Sequence, residues 1–283
     1  MRGVLLLSWL LCAVAIGVHA TTEDESASPV RPGSECDPAK LDAYPKGIPA
    51  WDPQSVYETV YDWMGKRSEV PLGIGHLKGA DRFWWQGLPL RLPLSAEPGA
   101  VAWGWFADGW LIETASPRAP PLPIGVQGTV ETAYEATSFI VLEATTDGWL
   151  RIRYGKPSTS DPSVRRDGLA WVHRCHLARE SLVFERWQDR FSSGEISPLF
   201  FRSDVPRELR EQPGDESPRV ISIADDHHLE PQAFEGDWMQ VLVKQPSDYC
   251  AEPGEMQVDT YQGWVRWRSP TLGPTVWYHT RGC

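Results

Sequence analysis

Hydrophobic and polar residues alternate most strictly near the C-terminal end of the chain. The pattern runs along Gly236-Asp-Trp-Met-Gln-Val-Leu-Val243 and again along Gly263-Trp-Val-Arg-Trp-Arg268. A Gly/Asp turn followed by period-two alternation predicts a half-buried strand. In the first run Met239, Val241 and Val243 share the inward face, with Trp238, Gln240 and Leu242 opposite; in the second, Val265 and Trp267 face inward and Trp264, Arg266 and Arg268 outward. The same pair of runs occurs earlier, as Asp147-Gly-Trp-Leu-Arg-Ile-Arg-Tyr154 and Asp167-Gly-Leu-Ala-Trp-Val-His173. There Leu150, Ile152 and Tyr154 point inward, which puts Trp149, Arg151 and Arg153 together on the outer face. A two-strand signature used twice predicts a mainly β protein of two small barrels in tandem.

The order around these runs is also repeated. Leu88-Pro-Leu-Arg91 and Glu97-Pro-Gly99 open a first unit over 88–176, and Leu199-Phe-Phe-Arg202 and Gln212-Pro-Gly214 open a second over 197–283. Between Trp103 and Val130 the first unit carries extra material, including Ala107-Asp-Gly-Trp-Leu-Ile112 and the Pro-rich Ser116-Pro-Arg-Ala-Pro-Pro-Leu-Pro123. Such proline density predicts a stiff extended loop; a third, degenerate repeat starting near Asp108 is the alternative. Two stretches read as helical. In segment 51–87, Asp52-Pro53 makes a helix entry, and Val56, Val60 and Trp63 recur at helical spacing as far as Gly65. In segment 177–196, Leu177, Val183, Phe184, Trp187 and Phe191 suit a short linking helix ended by Ser192-Ser-Gly194.

The first twenty residues change the compartment. Met1-Arg2, an apolar run from Val4 to Val18 and His19-Ala20 ahead of polar residues form a secretory signal peptide, with cleavage expected after Ala20. The run is shorter than the ~20 residues of a spanning helix. Residues 21–50 then read as a polar leader. Export, to the periplasm or beyond the cell, makes the four later cysteines a disulfide framework with three possible connectivities. The favoured pairs are Cys250–Cys283, within the last unit, and Cys36–Cys175, tying the leader to the first; closing the former loop is worth on the order of 4 kcal/mol in the chain-entropy model. The formal net charge of −11 argues against nucleic acid or anionic lipid as the main partner. The 15 tryptophans, with 24 glycines and 25 prolines, fit short strands and many turns rather than long helices.

These motifs resemble bacterial SH3-like (SH3b) domains, which run as Leu-x-Val-Arg, a Pro-Gly turn, a long hairpin, Gly-x-Trp-x-x-Val and Gly-Trp-Val. The second unit matches through Leu199-Phe-Phe-Arg202, Pro213-Gly214, Gly236-Asp-Trp-Met-Gln-Val241 and Gly263-Trp-Val265. The first matches through Leu88-Pro-Leu-Arg91, Pro98-Gly99, Gly148-Trp-Leu-Arg-Ile152 and Trp171-Val172. The insertion at 106–128 and the tail Trp277-Tyr-His-Thr-Arg-Gly-Cys283 depart from the usual module. The resemblance implies a non-catalytic binding or targeting module for cell-wall material or peptides.

Chemistry-bearing residues point the same way. His173-Arg-Cys-His176 and Asp225-Asp-His-His228 contain metal-ligand types, but zinc needs three or four ligands converging from fixed elements, and Cys175 is better used in a disulfide. A Cys175 nucleophile served by His173 or His176 conflicts with oxidising export. No Gly-x-Ser-x-Gly elbow, phosphate loop or dinucleotide fingerprint occurs, so no cofactor is implied. Trp238, Trp264, Arg266 and Arg268 on one outer face, Trp149, Arg151 and Arg153 on the other, and the tail Trp277-Tyr278 form the candidate ligand site. Trp and Arg side by side stack, make cation–π contacts and clamp carboxylates. The alternative for both faces is burial against each other or the linking helix. The expected function is therefore an exported protein that binds a peptide, a protein segment or cell-wall glycopeptide. An inhibitor or immunity-type protein for a basic secreted effector, or a metal-dependent or Cys/His hydrolase, are the competing expectations. Protein purified from the exported fraction should begin at Thr21 and contain two disulfides; intact mass and thiol titration measure both, and four free thiols would contradict the framework.

Overall fold

In a computed structural model of the chain, residues 71–280 are described, except 81–89, 108–109, 115–121, 124–128, 135, 158–164, 197, 203, 253 and 255. At 122–123, 156–157 and 165–167 only the backbone is described. The expected signal peptide, leader, Trp51 to Gly65 helix, most of the Pro-rich loop, Cys36 and Cys283 lie outside these residues. Cys175 and Cys250 are each disulfide-bonded; their expected partners are among the residues not described.

The first half contains β1 (Gly75–Lys78), β2 (Arg91–Leu94), β3 (Gly104–Ala107), β4 (Trp110–Glu113), β5 (Leu122–Pro123), β6 (Thr129–Ala133), β7 (Ala136–Ala144), β8 (Trp149–Pro157) and β9 (Arg165–His173). A short helix α1 (Arg174–Arg179), β10 (Val183–Arg186) and a second short helix α2 (Trp187–Ser192) follow. The second half holds β11 (Phe200–Phe201), β12 (Glu208–Arg210), β13 (Arg219–Ser222), β14 (His228–Glu235), β15 (Trp238–Gln245) and β16 (Asp259–Arg266). It closes with β17 (Arg268–Ser269), β18 (Gly273–Pro274) and β19 (Val276–Trp277). The protein is mainly β. One large sheet runs β10-β1-β7-β8-β9, with β6 also on β7, and the other runs β13-β12-β16-β15-β14; among the described residues both are open. A four-stranded sheet β2-β3-β4-β5 and the pairs β11–β19 and β17–β18 complete the pairing.

The alternation sets the register as expected. Trp238, Met239 and Gln240 lie opposite Arg266, Val265 and Trp264. Trp149, Leu150 and Arg151 lie opposite His173, Val172 and Trp171. Met239, Val241, Val243, Val265 and Trp267 are buried, as are Leu150, Ile152 and Tyr154.

Three expectations change. The segment 177–196 is not one helix: Val183 and Phe184 enter β10, which pairs along its length with β1, leaving two helices of six residues each. A β-branched and an aromatic residue in succession suit a strand once an edge is offered. Gly75–Lys78, inside the segment read as helical, is that edge, lying between β10 and β7. Arg91, expected to end the opening strand of the first unit, instead begins β2, whose partner is β3.

Two cores form. One gathers Leu92, Leu94, Phe106, Phe139, Val141, Leu150 and Ile152 between the first large sheet and the small sheet above it. The other gathers Leu209, Met239, Val241, Val265, Trp267, Val276 and Trp277, and it also takes Val130, Ile140, Trp187 and Phe191 from the first half. Strand β7 therefore serves both cores, Phe139 and Val141 on one face and Ile140 on the other. The halves are joined through backbone as well. Leu72 N–H donates to Leu272 O at 2.7 Å, and the Trp187 indole N–H donates to Leu72 O at 2.7 Å. Gly73 and Gly273, both at positive φ, touch so closely that a Cβ on Gly273 would collide with the Gly73 carbonyl.

Val241→Asp places a carboxylate in a fully buried position and should lose several kcal/mol of stability. Gln240→Asp, one residue along on the outer face, should lose less than about 1 kcal/mol. Thermal melts compare the two, and equal losses would contradict the register.

Candidate functional site

Strands β15 and β16 pair over eight consecutive positions without a register shift, so their outward side chains form regular rows. One row is Trp238, Gln240 and Leu242, and the other is Arg266, Trp264 and Gln262. Arg210 on β12 lies opposite Trp264 on its other side, and Glu235, Ala233 and Glu230 of β14 flank the β15 row. Trp238, Gln240, Leu242, Trp264, Arg266 and Arg210 are half-buried, and Gln262 is exposed. The opposite faces of these strands point into the core, which fixes the platform from beneath.

The cations of this face are matched. The Arg266 guanidinium lies over the Trp238 ring at 4.9 Å. Its Nη2 contacts Asp215 Oδ2 at 2.5 Å, and its Nη1 lies 3.9 Å from Asp237 Oδ2. The hydrogen bond from Arg266 holds the Asp215 carboxyl below its ordinary range. Arg268 donates through Nε to Asp237 Oδ1 at 2.7 Å. Arg210 reaches Glu208 at 2.5 Å, and Lys244 reaches Glu230 at 2.8 Å. A pair of open guanidiniums ready to clamp a carboxylate, as the sequence suggests, is not what the face presents. Asp215 comes from the β12–β13 hairpin, and only the pairing of β12 with β16 explains its arrival. Gln262 was legible from the alternation, since it sits two residues before Trp264.

The other sequence candidates fall elsewhere. Trp277 and Tyr278 are core residues, 5% and 6% exposed. Trp277 packs edge-on to Trp187 at 5.0 Å, and Tyr278 donates its hydroxyl to Thr132 O at 3.0 Å. In the first sheet Trp149 is buried edge-on to His173 at 5.1 Å. Arg153 is buried too, opposite Ile140 on the face that serves the second core. Arg151 is half-buried and bonded to Glu143 at 2.5 Å. The first unit's face is thus largely spent in packing, and Trp277 and Tyr278 offer a ligand almost no surface. Two hollows lie beside or beyond the strand that flanks the platform. A groove of about 520 Å³ runs between α2 and β14, past Phe191, Ile196, Pro231 and Phe234. A smaller one of about 250 Å³ is bordered by Tyr134, Arg190, Tyr249 and His279.

Groups with catalytic chemistry are used structurally. His76 Nδ1 is 3.0 Å from Ser138 Oγ and its Nε2 is 2.7 Å from Glu185 Oε2, the connectivity of a nucleophile relay. Yet Ser138 and His76 are both buried, and the serine hydroxyl donates to Leu77 O at 2.7 Å. His173 caps α1, its ring accepting from Cys175 N–H. Asp225 pairs with Arg207, and Asp226 accepts from Ser247 N–H at 3.1 Å. Among the described residues no three His, Cys, Asp or Glu side chains come together as metal ligands.

Comparison of the chain with family models, curated proteins and solved structures finds no match.

The buried histidines make stability depend on pH. His227 Nε2 accepts the Phe201 N–H at 3.2 Å and its Nδ1–H donates to Asp225 O at 3.0 Å, so the ring is neutral. Burial pushes the imidazoles of His227 and His228 below their ordinary range. Unfolded, they take up protons near about pH 6.5. Stability should be full above that value and fall as pH drops toward the lower folded values, because the unfolded chain then binds more protons. Glu185, pushed down to about 2 chiefly by its hydrogen bond from His76, adds a second loss below about pH 4.3. A melting series from about pH 8 to 5 should show the first fall, and His227→Gln, which keeps an acceptor but cannot titrate, should make it shallower, with His228 and buried His76 supplying the rest. An unchanged melting temperature across that range would contradict the neutral, buried imidazole.

Proposed function

We propose that this is an exported, non-catalytic binding protein built from two SH3-like units, and that its ligand is cell-wall glycopeptide or a protein segment held on the outer face of β15 and β16. The observation that carries the binding role is the juxtaposition of two half-buried indoles, Trp238 and Trp264, with a stacked Arg266 on a regular platform fixed by core residues beneath. Solvent-facing aromatic surface rimmed by polar groups is a common basis of recognition. The residues with catalytic character are buried or bonded internally, which favours binding over turnover.

The SH3-like reading draws on the pairing around each meander. In the second half β11 pairs with β19, Leu199 bridges Leu229 of β14, and Thr275 N–H donates to Trp267 O at 2.7 Å. These links connect the ends of the β14-β15-β16 meander to the first and last strands of the unit. In the first half β1 pairs both with β10 and with β7, so it holds the position that β11 holds later. On this reading the first unit opens at Gly75–Lys78, and its excursion before β7 corresponds, in larger form, to the one that bears β12 and β13.

Purified peptidoglycan and a periplasmic extract serve as baits for the mature protein and for the double variant Trp264→Ala, Arg266→Ala. Both side chains lie on the outer face, so the variant should melt near the parent and lose its ligand. A stable double variant that binds like the parent would remove this face, and retention only from the extract would point to a protein partner.

A further inference from the structure

We infer that the β15–β16 face takes the uncharged sugar backbone of a linear, N-acetylated polysaccharide rather than a charged peptide. This rests on the binding role proposed above and names the ligand chemistry of the same face.

Three observations converge on it. The first is charge. Arg266 and Arg268 are bound by Asp215 and Asp237, Arg210 by Glu208 and Lys244 by Glu230. A charged ligand would have to displace an internal partner at each of these positions, whereas a neutral one leaves them in place. The chain as a whole carries −11 and each cation of this surface has an internal carboxylate partner, with exposed Glu235 beside Trp238 in addition, so the face gives an acidic peptide no electrostatic advantage and holds no unmatched cation for a carboxylate.

The second is the placing of the aromatic groups. Trp238 lies opposite Arg266 and Trp264 opposite Gln240, so the two indoles are diagonal neighbours on adjacent strands. Such positions are roughly 7–8 Å apart, which lets successive rings of one chain cover both. Indoles stack on the apolar C–H faces of sugar rings. Here both are half-buried, so little side-chain freedom is lost on binding; Arg266 takes one face of Trp238, which leaves sugar stacking to Trp264 and to the uncovered part of Trp238.

The third is the polar groups between and beside the rings. Gln240 stands directly across from Trp264, and Gln262 directly across from Leu242. Each amide carries both a donor and an acceptor, matching the hydroxyl and acetamido groups of an amino sugar without adding charge. Because the pairing continues over eight positions without a shift, the surface is extended and suits a linear chain more than a compact one.

The mature full chain is titrated, by its tryptophan fluorescence, with a β-1,4-linked N-acetylglucosamine hexamer and, separately, with a wall stem peptide free of sugar. Intact peptidoglycan is used in sedimentation. The expected result is binding to the hexamer and to peptidoglycan, no binding to the stem peptide, and a loss on the order of tenfold in affinity for the hexamer in Trp238→Ala and in Trp264→Ala, with melts near the parent. Gln240→Leu, which keeps the packing and removes the amide, should weaken hexamer binding without lowering the melt. If the hexamer does not bind but the stem peptide or peptidoglycan does, and Trp264→Ala abolishes that binding, the sugar assignment fails and the face remains the ligand site. If binding of every probe survives both tryptophan substitutions, or none binds, the face itself is excluded.

Discussion

The structure depends on one indole. Trp187 starts α2, stacks at 4.8 Å on His76 from β1 and meets Trp277 edge-on at 5.0 Å. Its N–H closes a bond to Leu72 O, while Leu72 N–H reaches across to Leu272. Trp187 therefore ties the first large sheet to the second core, beside Ile140 and Val130 of that sheet. Truncating a buried Trp or Phe costs about 3–5 kcal/mol, against a total stability of about 5–15 kcal/mol for a typical domain. Phe191, one turn later, packs edge-on to Trp267 at 5.8 Å and to Trp277 at 6.2 Å, so α2 acts as an aromatic wedge. The Gly73–Gly273 contact beside it admits no side chain. A joint packed this tightly makes the relation between the halves a matter of core packing, not of a tether.

That joint explains why the two meanders differ in what they expose. The face of the first sheet bearing Ile140 and Arg153 is turned toward the shared core, which removes it from solvent. The equivalent face of the second sheet has no such duty, and its polar groups instead settle their charges with neighbours from β12 and the β14–β15 turn. The result is a compensated platform on one unit only.

Much of this was legible in the chain. Strict alternation located β8, β9, β15 and β16 and put Trp238, Trp264 and Arg266 on one face, because β15 and β16 have one buried side and period two leaves no freedom in assigning it. In β8 it gave Leu150, Ile152 and Tyr154 as inward but not the burial of Trp149 and Arg153 on the other face, which contacts distant in sequence impose. What alternation cannot express is pairing between distant segments. Gly75–Lys78 carries too few residues to announce a strand, and it becomes one only between β7 and β10. For the same reason Val183 and Phe184 looked helical by spacing, yet a neighbouring edge decided otherwise. Trp277 and Tyr278 read as a ligand-holding tail because they extend past the final strand of the SH3-like pattern; their burial follows from β19 pairing with β11 and from the wedge of α2, neither of which is local in sequence. The carboxylate partners of the arginines were legible in part, since Asp237 lies next to Trp238, whereas Asp215 arrives through a hairpin whose docking only the fold defines.

The buried relay of Ser138, His76 and Glu185 bears on how function is divided in this molecule. Its order of groups is that of a hydrolytic site, but its geometry serves the joint: the imidazole lies against Trp187, and the serine proton is directed to the Leu77 carbonyl of the strand that carries His76. Glu185 also accepts from Lys78 at 3.0 Å and lies 4.0 Å from Arg190, whose Nη2 donates to Thr132 O. Tyr278 donates to that same carbonyl. The polar network thus stitches β1, β6, β7, β10, α2 and the residue after β19 around the aromatic wedge. Nucleophilic chemistry needs an attacking oxygen open to substrate and a base free to take its proton; here both are enclosed and committed. This buried polar network helps fix the relative position of the two halves, while the ion pairs of the second sheet, Arg266–Asp215 and Arg268–Asp237 among them, lie on its accessible face.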